Sequence, residues 1–135
     1  MPDPVQTWRT VFREGFAPIL PTHGLEYVAE LLRNDSPKLI QGTTTDPPPL
    51  SVNQQEAAEA ACFIGACGMG AGFQTVNEVE EFFAKACWDA DQRIGEQAAC
   101  RWFLNWFDDT PRDEMRRELL AEVEQTLATR KAGAA

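Results

Sequence analysis

Histidine is almost absent from this chain: His23 is the single imidazole among 135 residues. Catalysis that depends on histidine therefore has no second ring to recruit. Positive charge is also scarce, with 12 Lys and Arg against 21 Asp and Glu, for a net charge of −9. Nucleic-acid backbones and anionic membrane surfaces both select clustered Lys and Arg, so neither is expected as a partner. Long uncharged runs are missing too. The longest, residues 60–77, is interrupted by Gly68, Gly70, Gly72, Gln74 and Thr75 and makes a poor membrane span. The opening residues MPDPVQTWRT carry an acid and two prolines but no apolar core, unlike a signal peptide. A cytoplasmic protein is the resulting expectation.

Close cysteine pairs are the last absence. Cys62 and Cys67 are separated by four residues, Cys87 follows after nineteen more, and Cys100 after a further twelve. Zinc sites commonly draw on two close pairs or on nearby histidines, and this chain has neither arrangement. No metal and no cofactor are expected. The thiols read as reduced, small apolar groups packed in a core. Cys67, beside a glycine tract, is the one expected to be reactive.

What is present is helical. Eight Phe, four Trp, one Tyr and a hydrophobic fraction of 44% exclude a disordered chain. The length fits one domain, taken as residues 1–131 with a disordered tail at 132–135. Val5, Trp8, Phe12 and Phe16 repeat at helical spacing and end near Gly15. Thr22 reads as an N-cap for a second helix, with Leu25, Val28, Leu31 and Leu32 on one face. Ser36 and Pro37 open a short turn that stops at Gly42, and the prolines of TTTDPPP then impose a stiff extended connection. Ser51 with Gln54, and Thr75 with Glu78, have capping-box spacing. The alanine-rich stretch after Ser51 (Ala57, Ala58, Ala60, Ala61) is expected to be helical. After Thr75, Val79, Phe82, Phe83, Ala86, Cys87, Ala90 and Ile94 fall within an arc of roughly 140°, and Gly95 ends that helix.

The next segment is apolar over about 240° of its wheel, from Ala98 and Cys100 through Trp102, Phe103, Leu104, Trp106 and Phe107. A helix of this kind is usually surrounded by others. Thr110, Pro111 and Asp113 start the last helix, whose stripe is Met115, Leu119, Leu120, Val123 and Leu127. Asp113 is placed to pair with Arg117. The fold class is thus all-α: a compact orthogonal or irregular bundle of five to six helices around a central aromatic-rich helix.

Several features invite a functional reading. The tract Gly65–Gly72, GACGMGAG, resembles a phosphate-cradling loop only superficially: no strand precedes it, and the nearest base downstream is Lys85. A flexible interhelix turn is the expectation. His23 falls in the first turn of a helix and reads as a structural or surface residue. Arg101, Asn105 and Asp108 form a polar strip at i, i+4 and i+7, which must either find internal partners or line a cleft. Trp88 is the outlier. It lies opposite the apolar arc of its helix, among Glu81, Lys85 and Asp91, and exposed tryptophans often anchor partners.

Two functions follow. The first is a non-catalytic helical protein-interaction module using Trp88, Glu81, Lys85 and Asp91. Its partner is a second copy of the chain or a basic protein, because residues 51–95 hold seven acids against two bases. The alternative is a small-molecule or cofactor pocket, enzymatic in one form, near Cys67, Arg101 and the Gly65–Gly72 tract, with Asn105 and Asp108 at its edge.

Overall fold

Aromatic residues at helical spacing open the fold. Helix α1 (Pro4–Val11) runs directly into a π-helical turn, Phe12–Phe16. Together they bury Trp8, Val11, Phe12 and Phe16. The structure is a computed structural model and describes residues 4–49 and 56–134. The side chain of Val5 and the Ser51–Gln54 capping box lie outside the described residues. Helix α2 (Thr22–Arg33) buries Leu25, Val28, Leu31 and Leu32, the face its spacing predicts. Its flanking residue is Pro21, in extended conformation, so Thr22 is the first helical residue and not the cap. The Thr22 hydroxyl instead accepts a hydrogen bond from Arg130 at 3.0 Å.

The alanine-rich stretch departs from the helical expectation. Strands β1 (Thr45–Asp46) and β2 (Ala60–Ala61) pair antiparallel, with Thr45 opposite Ala61 and Asp46 opposite Ala60. Around them Ala58 N–H donates to Gln74, Glu59 to Asp46, Ala61 to Lys38 and Cys62 to Thr44. Alanine prefers helix by only tenths of a kcal/mol per residue, and a backbone flanked on both sides by hydrogen-bonding partners overrides that preference. The short ladder also suits a small side chain, because a Cβ on Gly65 would stand 2.9 Å from the Cβ of Ala61.

The glycine tract is the second departure. It is not a flexible turn: helix α3 (Phe63–Gly70) contains most of it, and only Ala71 and Gly72 form the turn that follows. Residues from Phe63 to Gly68 are all buried. Glycine there permits close approach of backbones. A Cβ on Gly24 would run into the Cys67 carbonyl, and one on Gly70 would come within 2.6 Å of the Tyr27 Cβ. The helix enclosed on nearly all sides is therefore α3, packed between α2 and α4.

Helices α4 (Val76–Ile94), α5 (Cys100–Asp109) and α6 (Arg112–Ala134) complete an all-α bundle. Phe103 of α5 is the hub of its aromatic cluster, with Trp8, Phe12, Phe16 and Phe63 at centroid distances of 5.3–6.3 Å. The buried face of α5 is narrower than its composition implies. Cys100, Phe103 and Phe107 are buried, whereas Trp102 is 38% exposed and Trp106 lies flat on Trp8 at the edge of the core.

Helix α6 buries Met115, Leu119 and Val123 and clamps the other helices with its arginines and glutamates. Arg13 donates twice to Glu122, at 2.7 and 2.9 Å, and Arg9 pairs with Glu118. Arg116 donates to the Leu32 and Arg33 carbonyls at the C-terminus of α2, satisfying acceptors that have no partner within that helix. It also takes Asp113, at 3.5 Å, in place of the expected Arg117. Arg112 binds Asp35 at 2.6 Å and the carbonyls of Ser36 and Leu39, fixing the turn after α2.

Candidate functional site

The outer face of α4 is presented by a well-terminated helix. Thr75 and Glu78 form the expected capping box, with the Glu78 N–H donating to Thr75 Oγ1 at 3.2 Å and the Thr75 N–H donating to Glu78 Oε1 at 3.1 Å. Donation by the backbone N–H groups of Thr75 and Gln74 holds the Glu78 carboxyl below its usual range. Gly95 ends the helix in the left-handed conformation, φ 81°. Between these caps Trp88 is 63% exposed, uncovered among the described residues by α1 or the proline segment.

The four residues expected to bind a partner divide around that ring. Glu81 and Lys85 border a largely apolar hollow of about 470 Å³ that also holds Ile19, Phe73 and Phe82. Lys85 stands 3.6 Å from Asp89 across its rim. Trp88 and Asp91 border a second, more polar groove of about 700 Å³, shared with Glu96 and Arg101. Trp88 thus stands on the wall of the second groove, on the helix that separates the two.

Asp91 has a task that its place on the polar face of α4 conceals. Its carboxylate accepts the backbone N–H of Cys100 at 2.7 Å and that of Ala98 at 3.2 Å. Its own carbonyl accepts the Gly95 N–H that closes α4. One residue therefore ends α4 and starts α5, an anion placed where the first turn of a helix presents unpaired N–H groups.

Arg101, Asn105 and Asp108 come together as the polar strip predicts. They border a cavity of about 360 Å³ between α4, α5 and the Gly42–Thr44 segment. Asp108 Oδ1 accepts the Gly42 N–H at 2.8 Å, and Gln41 Nε2 donates to the carbonyls of Phe107 and Thr110 at the end of α5. Asp108 is accordingly a tether for this loop. The sulfur in the cavity is not Cys67. Cys67 lies wholly buried in α3, where desolvation pushes its thiol far above the usual value, and not at an exposed helix end. Cys62, Cys87 and Cys100 line the cavity instead.

Their environments differ sharply. Burial pushes Cys62 up to about 12, against the opposing effect of hydrogen bonds from the Gly65 and Ile64 backbone. The Cys100 thiol donates to Asp91 Oδ2 at 3.6 Å, and Cys87 and Cys100 influence each other's ionisation, which lowers Cys100 and raises Cys87. Burial and the nearby Asp91 oppose the lowering of Cys100, while Arg101 assists it. All four cysteines are free thiols.

No family model, characterised protein or solved structure matches this chain. Its own residues must carry the functional argument.

Among the described residues no group of three or more His, Cys, Asp and Glu is arranged to hold a metal ion, and no helix is long and apolar enough to cross a membrane. His23 is exposed and stands 3.2 Å from Glu26, one helical turn on. That Cys87 and Cys100 border one cavity was only half legible in sequence. Both lie at the edges of apolar arcs, but the placing of α5 against α4 involves Asp91 and the turn at residues 95–99.

Proposed function

We propose that the protein is a non-catalytic interaction module whose docking face is the outer side of α4, with Trp88 as its anchor. The observation that carries this reading is the 63% exposure of a tryptophan on a helix capped at both ends. Tryptophan removes much apolar area from water at low entropic cost, which is why it is enriched among interface hot spots. Glu81, Glu96 and the paired Asp89 surround it with negative charge, so the partner is a basic protein segment. Asp91 contributes to this face by holding its edge in place and Lys85 by pairing with Asp89. A cytoplasmic setting fits a chain whose four cysteines are free. A small-molecule site is better supported at Cys100 than at Cys67, because Arg101, Asn105 and Asp108 share a cavity with Cys100.

The test places a photo-crosslinking residue at position 88 in the native cell, with position 102 as the control. One dominant adduct at position 88, absent at position 102, identifies the partner. Purified partner should then lose about thirtyfold in affinity to Trp88→Ala and weaken with added salt, while Trp88→Ala leaves thermal unfolding unchanged. Equal adducts at both positions, or unchanged affinity for Trp88→Ala, would overturn the reading. A second copy of this chain as the adduct would replace the basic partner by self-association.

A further inference from the structure

Arg101, in the first turn of α5, has neither a hydrogen bond nor an ion pair among the described residues. Every other arginine of the chain has at least one. Asn105, one helical turn further along the same side of α5, is exposed and has none either. Both border the 360 Å³ cavity beside the Gly42–Thr44 segment, which Phe83 and Leu104 line with apolar surface. We infer that this cavity binds a small single-ring carboxylate, with Arg101 and Asn105 donating to the carboxylate and Phe83 and Leu104 packing on the ring.

Charge selects the cavity and the ligand together. Arg101 also borders the groove beside Trp88, but that groove carries the carboxylates of Asp91 and Glu96. The cavity holds one carboxylate, Asp108, whose Oδ1 already accepts the Gly42 N–H at 2.8 Å. Asp108 follows Arg101 by seven residues, which is about 10 Å along the helix axis. An anionic head bound at Arg101 therefore stands at the opposite end of the cavity from Asp108. A second anionic group on the ligand would be driven towards Asp108, so a monocarboxylate is favoured over a dicarboxylate.

Shape and surface set the remainder of the ligand. Small-molecule sites commonly enclose about 300–1,000 Å³, lined by apolar side chains with a few placed polar groups. This cavity lies at the lower end, with room for one ring and a short acidic arm. Cys62, Cys87 and Cys100 on its walls add small, polarizable apolar surface. Guanidinium presents parallel N–H donors that match a carboxylate in plane, and the Asn105 amide can supply a further donor.

The test titrates the isotope-labelled full chain with phenylacetate and follows backbone amide signals by NMR. Phenylacetamide, the neutral analogue with the same ring, and the phenethylammonium cation are run beside it. Phenylacetate should give saturable shifts centred on residues 42–44, 83 and 101–108. Phenylacetamide should bind there about fivefold more weakly, and phenethylammonium more weakly still. Arg101→Gln, at an exposed position, should lose about fivefold in affinity for phenylacetate and none for phenylacetamide. Absence of saturable shifts at these residues, or shifts centred instead on the hollow beside Phe73, would overturn the site. Equal affinity of wild type for phenylacetate and phenylacetamide, or equal losses of both in Arg101→Gln, would overturn the ligand class. The comparison of the three probes on wild type needs no variant, so it decides the matter even if Arg101→Gln folds poorly.

Discussion

The Asp91 carboxylate accepts the backbone N–H of Cys100 at 2.7 Å, and its second oxygen lies 3.6 Å from the Cys100 sulfur. A single side chain therefore holds the start of α5 and sets the charge beside its first thiol. These two effects can be separated. Asparagine keeps an acceptor for the N–H but removes the negative charge that disfavours a thiolate. Asp91→Asn should lower the apparent pKa of Cys100 and speed its alkylation at neutral pH, measured as the pH dependence of iodoacetamide labelling. Asp91→Ala removes the acceptor as well and should cost about 1 kcal/mol in chemical denaturation, the usual loss for a missing helix cap.

Ala98 supplies the second prediction. Its φ of 61° places an L-residue with a Cβ in the left-handed region, at a cost of roughly 1–2 kcal/mol. Glycine removes that cost but has more backbone entropy to lose. Ala98→Gly should therefore raise stability by about 0.5–1 kcal/mol. Thermal unfolding should shift up by a few degrees, and the Asp91 hydrogen bond to this N–H should be retained.

Gly24 predicts the opposite sign. A Cβ there would meet the Cys67 carbonyl, which is backbone inside the enclosed helix α3 and cannot swing aside. Gly24→Ala should cost about 1–3 kcal/mol in urea denaturation, as overpacking of a tight core does. Gly133, where an added Cβ would meet nothing within 4 Å, should accept alanine without loss.

Acid titration tests the turn after α2. The hydrogen bond and charge of Arg112 hold the Asp35 carboxyl below its usual value, against a smaller opposing effect of desolvation. A carboxyl whose folded pKa is depressed adds stability that is complete above its unfolded pKa, about 3.9. That contribution disappears as pH falls through the lower folded value. Asp35 also has φ 48°, a conformation that asparagine tolerates. Asp35→Asn should then be less stable than wild type at pH 7, and the two should converge in strong acid, as read from denaturation midpoints across the pH range.

Local spacing was enough to place α2, the capping box of Thr75 and Glu78, the Gly95 stop and the buried stripe of α6. Each depends on residues within a few turns of one another. The same spacing showed that Trp88 lies off the apolar arc and that Arg101, Asn105 and Asp108 share one side of α5. It failed where partners are distant in sequence. Ala60 and Ala61 are extended because Thr44, Asp46 and Lys38 supply hydrogen bonds that no local window contains. Gly65–Gly70 is helical because Gly24, Tyr27 and Phe82 close around it, so that small residues serve packing and not flexibility. Composition and periodicity thus determined the helical class and the outward face of α4. Only the tertiary structure decided that Cys62, Cys87 and Cys100 border one cavity and that Cys67 does not join them. Which thiols share a cavity depends on how helices cross, and that crossing is set by contacts such as Asp91 with the N–H of Cys100, made between elements and not within them.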